Sequence, residues 1–221
     1  MPKDLKYAIV APRLKKASLP PEPKSFRPVS NLPYISKLIE EAVLNQLDIH
    51  AHKNHLNESY QSGYKSHHST ETALIYITNS LLQSMDRNEV VAIAFLDLSA
   101  AFDVVDHRTL LQRLNASQGI EDTALRWIES YLSERTQQVC IGDSYSAIKA
   151  LTCGLPQGSK YGPKAYKQYT KPLGTLSRLL MILFHFYADD SQFWKSFNPA
   201  CPGDVKKAIE HLETSLGYIF K

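Results

Sequence analysis

Two acidic positions stand at the ends of apolar runs. Residues 179–188 (Leu-Leu-Met-Ile-Leu-Phe-His-Phe-Tyr-Ala) lead into Asp189-Asp190, and residues 90–96 (Val-Val-Ala-Ile-Ala-Phe-Leu) lead into Asp97. An ionised carboxylate beside buried apolar surface is expensive unless a counter-charge such as a metal ion offsets it. Three hard oxygen ligands suit Mg²⁺, which takes a few carboxylates and completes its shell with water and substrate phosphates. Two ions roughly 4 Å apart can activate an attacking hydroxyl and stabilise the leaving group of an in-line displacement. Phosphoryl transfer needs mainly positioning and charge neutralisation, so it requires no nucleophilic Ser/His system. Gly158-Ser159 lacks the Gly-x-Ser-x-Gly elbow, and the chain contains no Gly-x-x-x-x-Gly-Lys-Ser/Thr phosphate loop. Asp is also favoured in ordinary turns through its own backbone hydrogen bonding, so residues 186–190 alone leave a plain Asp-rich turn open.

Particular elements must position these carboxylates. The run 90–96 is continuous and β-branched at its start, which predicts a strand buried on both faces and ending at Asp97. After Asp190 the chain is strand-like again at Ser191-Gln192-Phe193-Trp194, which predicts a β-hairpin with Asp189 and Asp190 at its tip. Successive strand side chains face opposite ways, so a tight turn is what could bring both carboxylates near one ion. Upstream, residues 7–10 form a short apolar strand, followed by a connector with Pro20, Pro21 and Pro23. Helical periodicity starts at Pro33 with Ile35, Leu38, Ile39, Ala42, Val43 and Leu47. Further helices are expected over 72–85, capped by Ser69 or Thr70, from about Asp106, over 122–132 and over 204–220. Residues 137–141 and 145–150 read as strands joined by Gly142-Asp143-Ser144. Between them and the acidic hairpin, Gly154, Pro156, Gly158, Gly162 and Pro163 leave a loop bare of side chains, suited to a ligand lying against the main chain.

Composition sets the outer bounds. With 221 residues, 43% of them hydrophobic, the chain can bury a real core as one large domain or two small ones. A formal net charge of +3 permits a polyanionic partner without demanding one. The basic residues cluster at Lys3, Lys6, Arg13, Lys15, Lys16 and Lys24 and again at Lys160, Lys164, Lys167 and Lys171. Cys140, Cys153 and Cys201 are too few and too scattered for a disulfide framework or a zinc site, which favours a reducing compartment. His67-His68 has no carboxylate or Cys at ligand spacing and reads as a loop pair. No signal-peptide pattern occurs and no apolar run reaches membrane-spanning length. A soluble, intracellular protein with no membrane partner is expected, without a choice between cytoplasm and nucleus.

Taken in order, these residues resemble a known family. Phe95-Leu96-Asp97-Leu98-Ser99-Ala100-Ala101-Phe102-Asp103, then Val105-Asp106-His107, is similar to motif A of reverse transcriptases from non-LTR (LINE-type) retrotransposons. Gly154-Leu155-Pro156-Gln157-Gly158-Ser159, with Gly162-Pro163, resembles their motif B, and Tyr187-Ala188-Asp189-Asp190 their motif C. Phe26-Arg27-Pro28-Val29-Ser30, Lys37-Leu38-Ile39-Glu40 and Gln61-Ser62-Gly63-Tyr64, running on to residues 69–74, resemble the fingers motifs. The set spans about residues 5–200.

The resemblance implies an α+β right-hand polymerase of fingers and palm, with an antiparallel palm sheet packed on helices and the thumb absent. Residues 1–88 and 105–150 would be fingers-like, and 89–104 and 151–221 palm-like. It implies that Asp97, Asp189 and Asp190 are the catalytic metal-binding carboxylates, with the Leu98 carbonyl as an extra ligand. The cofactor would be two Mg²⁺ ions, with Mn²⁺ as a substitute. RNA template, DNA primer and dNTPs are the implied partners. Phe102 matches the aromatic steric gate, whose ring under the sugar clashes with a 2′-hydroxyl; a plain core aromatic is its other reading. Gln157 and Gly158 would line the incoming nucleotide, and Arg27, Lys37 and Lys65 would grip the triphosphate, although Arg is usual at the Lys65 position. Gly154, Pro156, Ser159 and Tyr187 would lie on the template–primer side.

The chain departs from the family at two places. Lys160-Tyr161 stands where an apolar pair is usual, and residues 164–171 (Lys-Ala-Tyr-Lys-Gln-Tyr-Thr-Lys) are polar where an apolar helix should pack beneath the catalytic hairpin. The chain also stops near the end of the palm, so a thumb and an endonuclease are expected on a longer element. Two other readings stay open. One is a catalytically dead nucleic-acid-binding remnant using its basic surface, favoured by the polar segment. The other is an RNA-directed RNA polymerase palm, which Phe102 opposes.

Overall fold

A computed structural model describes residues 1–98, 101–200 and 202–220. In chain order come β1 (Tyr7–Leu14), β2 (Phe26–Asn31), α1 (Tyr34–Lys53), α2 (Thr70–Asp86) and β3 (Val90–Asp97). Next are α3 (His107–Gln118), α4 (Asp122–Leu132), β4 (Arg135–Ile141), β5 (Ser144–Tyr145) and β6 (Lys149–Leu151). The chain closes with α5 (Gly162–Leu179), β7 (Leu183–Tyr187), β8 (Asp190–Phe197) and α6 (Pro202–Ile219). Two compact units result, Met1–Asn57 with Ala100–Tyr169, and Glu58–Ser99 with Thr170–Lys221. The α+β class and the antiparallel sheet that carries the acidic hairpin are as expected.

The first unit is built on a mixed sheet. β1 pairs antiparallel with β2 and parallel with β4, and β4 pairs antiparallel with β5 and then β6. β1 buries Ala8 and Val10, alternate positions on one face of the strand. β2, not foreseen as a strand, is the outer strand of the sheet, where Pro28 leaves no ladder donor missing on a second side. The single strand expected over 145–150 is two pieces. Ser146 takes both main-chain groups of Val139, donating its N–H to the carbonyl and accepting the Val139 N–H on Oγ, each at 3.0 Å. The ladder resumes only at Lys149. Leu110, Leu114, Ile128, Tyr131, Leu132 and Tyr161 form the buried centre.

The polar segment 164–171 is helical, and it packs. Ala165 and Tyr166 are buried, and Lys164 and Gln168 are each only 7% exposed. The Lys164 ammonium donates to Asp48 Oδ1 at 2.7 Å and to Asn57 Oδ1 at 3.3 Å, both on the segment of α1 and its exit. A buried lysine is tolerable when paired and hydrogen-bonded in this way. Tyr161, in place of an apolar residue, lies edge-on to Tyr131 at 5.3 Å.

The second unit is an antiparallel sheet in the order β3-β8-β7. Phe184, Phe186 and Phe193 pack with Leu212 and Ile219 of α6 on one face. On the other face Trp194, fully buried, donates its indole N–H to Ser80 Oγ of α2 at 3.2 Å. The N-terminus of α2 is closed by a capping box between Ser69 and Thr72. The expectation that 90–96 is buried on both faces is corrected: Val90 is 46% and Phe95 68% exposed. A continuous apolar run is typical of central strands, but β3 is the outer strand of this sheet. No helix among the described residues is long and apolar enough to cross a membrane.

Candidate active site

The register of the second unit's sheet brings the predicted carboxylates together. β3 and β8 pair so that Asp97 lies directly opposite Asp190, and β7 and β8 pair Tyr187 with Asp190. Directly opposed residues of an antiparallel pair share a face with Cβ atoms about 5 Å apart. Ala188 and Asp189 form the two-residue turn between the strands. Asp190 carries the electrostatic signature of this crowding: burial first, then the charges of Asp189 and Asp97, push its carboxyl above the ordinary 3.8. A cation is what such repulsion calls for. Among the described residues no group of three or more His, Cys, Asp or Glu side chains is placed to hold a metal ion. Leu98, the predicted carbonyl ligand, follows Asp97 directly and is half-buried. Ser99 and Ala100 of the motif lie outside the described residues.

The hairpin is flanked by the segment around Gln61. The Phe186 N–H donates to the Tyr60 carbonyl at 2.8 Å, and the Ser62 N–H donates to the Phe186 carbonyl at 2.9 Å. Ser62 Oγ and His185 Nε2 are 2.9 Å apart, both side chains buried. Burial holds the His185 imidazole below its ordinary value. The Tyr64 phenol is pushed up, by burial first and then by the charges of Asp189 and Tyr187. None of these supporting roles was visible in the sequence, where Gln61-Ser62-Gly63-Tyr64 stood only as a family signature. Lys65 follows on the same loop and is exposed.

In the first unit the Gly/Pro loop is tied down at several points. Gly154 N–H donates to the Val105 carbonyl at 2.8 Å, Leu155 N–H to the Phe102 carbonyl at 2.7 Å, and Ser30 N–H to the Gln157 carbonyl at 2.6 Å. Gly158 has φ of +130°, and a Cβ there would meet the Ser30 carbonyl oxygen at 2.4 Å, so no other residue fits. Gln157 Nε2 donates to Asp103 Oδ1 at 3.0 Å. Gly154, Pro156 and Gln157 line a cavity of about 350 Å³ with Asp103 and Ser30. Ser159 is turned inward instead: it is buried, and its Oγ accepts the Gly162 N–H at the start of α5. Phe102 is half-buried and stacks on Tyr166 with ring centroids 4.9 Å apart. Arg27 is exposed on β2 directly opposite Arg13 of β1. Like charges so placed repel, and a phosphate between them would relieve it. Lys37 is half-buried on α1.

Sequence reasoning missed Glu40. Its carboxylate is fully buried and accepts from Ser36 Oγ at 3.0 Å and from the main-chain N–H groups of Lys160 and Tyr161 at 2.7 and 3.1 Å. A Glu on the apolar side of a helix was the available signal.

Comparison with known proteins places this architecture. The chain is 31% identical over 195 residues to the RNA-directed DNA polymerase from mobile element jockey of Drosophila melanogaster, a match that covers 86% of this chain and 21% of that protein. It is 29% identical over 220 residues to the probable RNA-directed DNA polymerase from transposon BS of the same species, covering 97% of this chain and 24% of that one. The chain therefore spans only about a fifth to a quarter of the relatives it matches. In structure it is similar to apo telomerase from Candida tropicalis, with a TM-score of 0.64 at 12% identity over 96% of this chain and 46% of that one. It is also similar to the RNA-dependent RNA polymerase of a human picobirnavirus, with a TM-score of 0.51 at 14% identity over 92% and 38%. At such identities these likenesses show the fold alone. A family model goes further: that of reverse transcriptase (RNA-dependent DNA polymerase) matches residues 14–216, nearly the whole chain, and the chain belongs to that family.

Proposed function

We propose that this chain is the catalytic portion of an RNA-directed DNA polymerase, which adds dNTPs to the 3′-hydroxyl of a DNA primer on an RNA template. The observation that carries the reading is the strand register that sets Asp97 against Asp190, beside Asp189 in the turn. Asp97, Asp189 and Asp190 would hold two Mg²⁺ ions, or Mn²⁺ in their place, with the Leu98 carbonyl as a further ligand. Ions so held would activate the primer hydroxyl and neutralise charge on the leaving pyrophosphate. Arg27, Lys37 and Lys65 take the triphosphate, and the repulsion between Arg27 and Arg13 supports an anion there. Gln157 and Gly158 line the nucleotide, while Gly154, Pro156 and Tyr187 serve the template–primer side. Phe102, braced by Tyr166, excludes the 2′-hydroxyl. A thumb and an endonuclease belong to the longer protein, as the share of the relatives that is matched suggests. The fingers-like segments are 1–88 and 105–150, and the palm-like ones 89–104 and 151–221.

Primer extension on an RNA template with Mg²⁺ tests this. Asp189→Asn is expected to lower the rate about 10³-fold or more, since a bound ion supplies several kcal/mol and each 1.4 kcal/mol is tenfold. Extension that survives the substitution rejects the carboxylate assignment. Phe102→Ala is expected to admit ribonucleotides, and an unchanged sugar preference removes the argument against an RNA-making polymerase. The same assay separates the other reading, a catalytically dead nucleic-acid-binding remnant: nucleic acid bound without any extension favours it.

A further inference from the structure

The structure assigns Gln61 the task of holding the acidic turn in its working conformation, an inference that rests on the carboxylate reading above. Ala188 has φ of +57°. An L-residue in the left-handed region is strained by contact between Cβ and the carbonyl oxygen, and glycine is the usual occupant of such a position in a two-residue hairpin. Something outside the hairpin must therefore keep Ala188 there, because the same peptide units set where Asp189 and Asp190 point.

Gln61 meets that need with one side chain. It is only 5% exposed. Its Oε1 accepts the Ala188 N–H at 3.0 Å, and its Nε2 donates to the Ala188 carbonyl at 3.2 Å. The same Oε1 accepts the Gly63 N–H at 2.7 Å, which fixes the amide's own orientation. Both main-chain groups of the strained residue are thus satisfied by a carboxamide, the group that donates and accepts at once. Gly63 completes the clamp from below: a Cβ there would lie 2.1 Å from the Ala188 nitrogen, so the turn rests on bare backbone. The bonds of Tyr60 and Ser62 to Phe186 lay residues 60–62 along β7, so the clamp arrives in a defined register. The Gln61 amide bonds to main-chain groups of Ala188 and Gly63. It is a positioning residue.

The test uses the 221-residue chain and Mn²⁺ as probe, with bound ion read by electron paramagnetic resonance and the Ala188 amide read by hydrogen exchange. Gln61→Leu is expected to weaken Mn²⁺ binding about 10- to 100-fold, the usual loss when a partner that orients a ligand is removed, and to speed exchange at Ala188. Ser62→Ala, which removes the neighbouring bond to His185, is expected to leave Mn²⁺ affinity unchanged, so a general loosening of the segment is distinguished from loss of the clamp. Adding Ala188→Gly to Gln61→Leu is expected to restore part of the affinity, because glycine adopts the turn without strain. Should Gln61→Leu fail to fold, Gln61→Glu keeps the acceptor and the shape but loses the donor, and a weaker Mn²⁺ affinity is again expected. Parental affinity in Gln61→Leu or Gln61→Glu, or a double variant no better than the single one, overturns the inference. A parent chain that binds no Mn²⁺ sinks the carboxylate reading instead and the metal-positioning role with it. Unchanged Ala188 exchange in Gln61→Leu overturns the clamp itself, whatever the ion does.

Discussion

The acidic turn of the second unit is placed by main-chain ladders, β3 on β8 on β7, with the Gln61 amide at its tip. The Gly/Pro loop of the first unit is tied by scattered main-chain bonds to Val105, Phe102 and Ser30 and closed at its end by one ionisable side chain, the buried Glu40 carboxylate, which gathers the N–H groups of Lys160 and Tyr161 from across the unit. A ladder sets position in whole residues, and slipping it by one turns every side chain to the opposite face. A single carboxylate sets position through a few strong bonds, and its loss leaves buried donors with nothing to bind. The first arrangement suits side chains that must stand out from a strand end in a set geometry. The second suits a loop whose own backbone must stay bare.

Glu40→Ala is the largest test of that contrast. It strands the buried Tyr161 N–H and the part-buried Lys160 N–H, at roughly 1–3 kcal/mol each. An unfolding midpoint about 10 °C lower is expected for a chain of this size, measured by circular dichroism. A loss of only a degree or two would mean that the loop is held by its main-chain bonds alone. Gly63→Ala comes next: its Cβ must displace the Ala188 backbone, and overpacking costs about 1–3 kcal/mol. Unlike Glu40→Ala, it should also weaken Mn²⁺ binding. Equal Mn²⁺ affinity in both variants would erase the distinction between the two regions.

Asp190→Asn should act with the opposite sign on stability. Its carboxyl is held above 3.8 in the folded chain, by burial and then by Asp189 and Asp97. Between 3.8 and the raised value the folded chain binds more protons than the unfolded one, so stability falls as pH rises through that window. At neutral pH Asp190→Asn is expected to unfold at a higher temperature than the parent while losing extension. The gain should vanish as pH drops below about 4, where both states are protonated. Lys164→Met should have the smallest effect, within about 1 kcal/mol, because the Asp48 carboxylate is 62% exposed and stays solvated when its partner is removed. A large loss there would make the Asp48–Lys164 pair a second anchor comparable to Glu40.

Much of this was readable in advance, and the failures have causes. The helix over 122–132, the Ser69 cap and the hairpin ending in Asp189-Asp190 follow from local periodicity, capping chemistry and turn preference, which neighbours in sequence determine. The double burial predicted for 90–96 failed because apolar runs do not announce whether a strand is central or outermost. The split after Tyr145 failed because it depends on Ser146 capturing Val139 across the ladder. The burial of Lys164 was not legible because its partners, Asp48 and Asn57, are remote in the chain.

The residue types and their order determined on their own where carboxylates, bare loop and basic groups occur, and hence the family to which the chain belongs. Only the tertiary structure decided that Asp97 faces Asp190, that Glu40 holds the loop and that Gln61 grips Ala188. Local propensity comes from interactions within a few residues. Strand register and the satisfaction of buried polar groups are settled between segments far apart, where a sequence read along its length carries no signal.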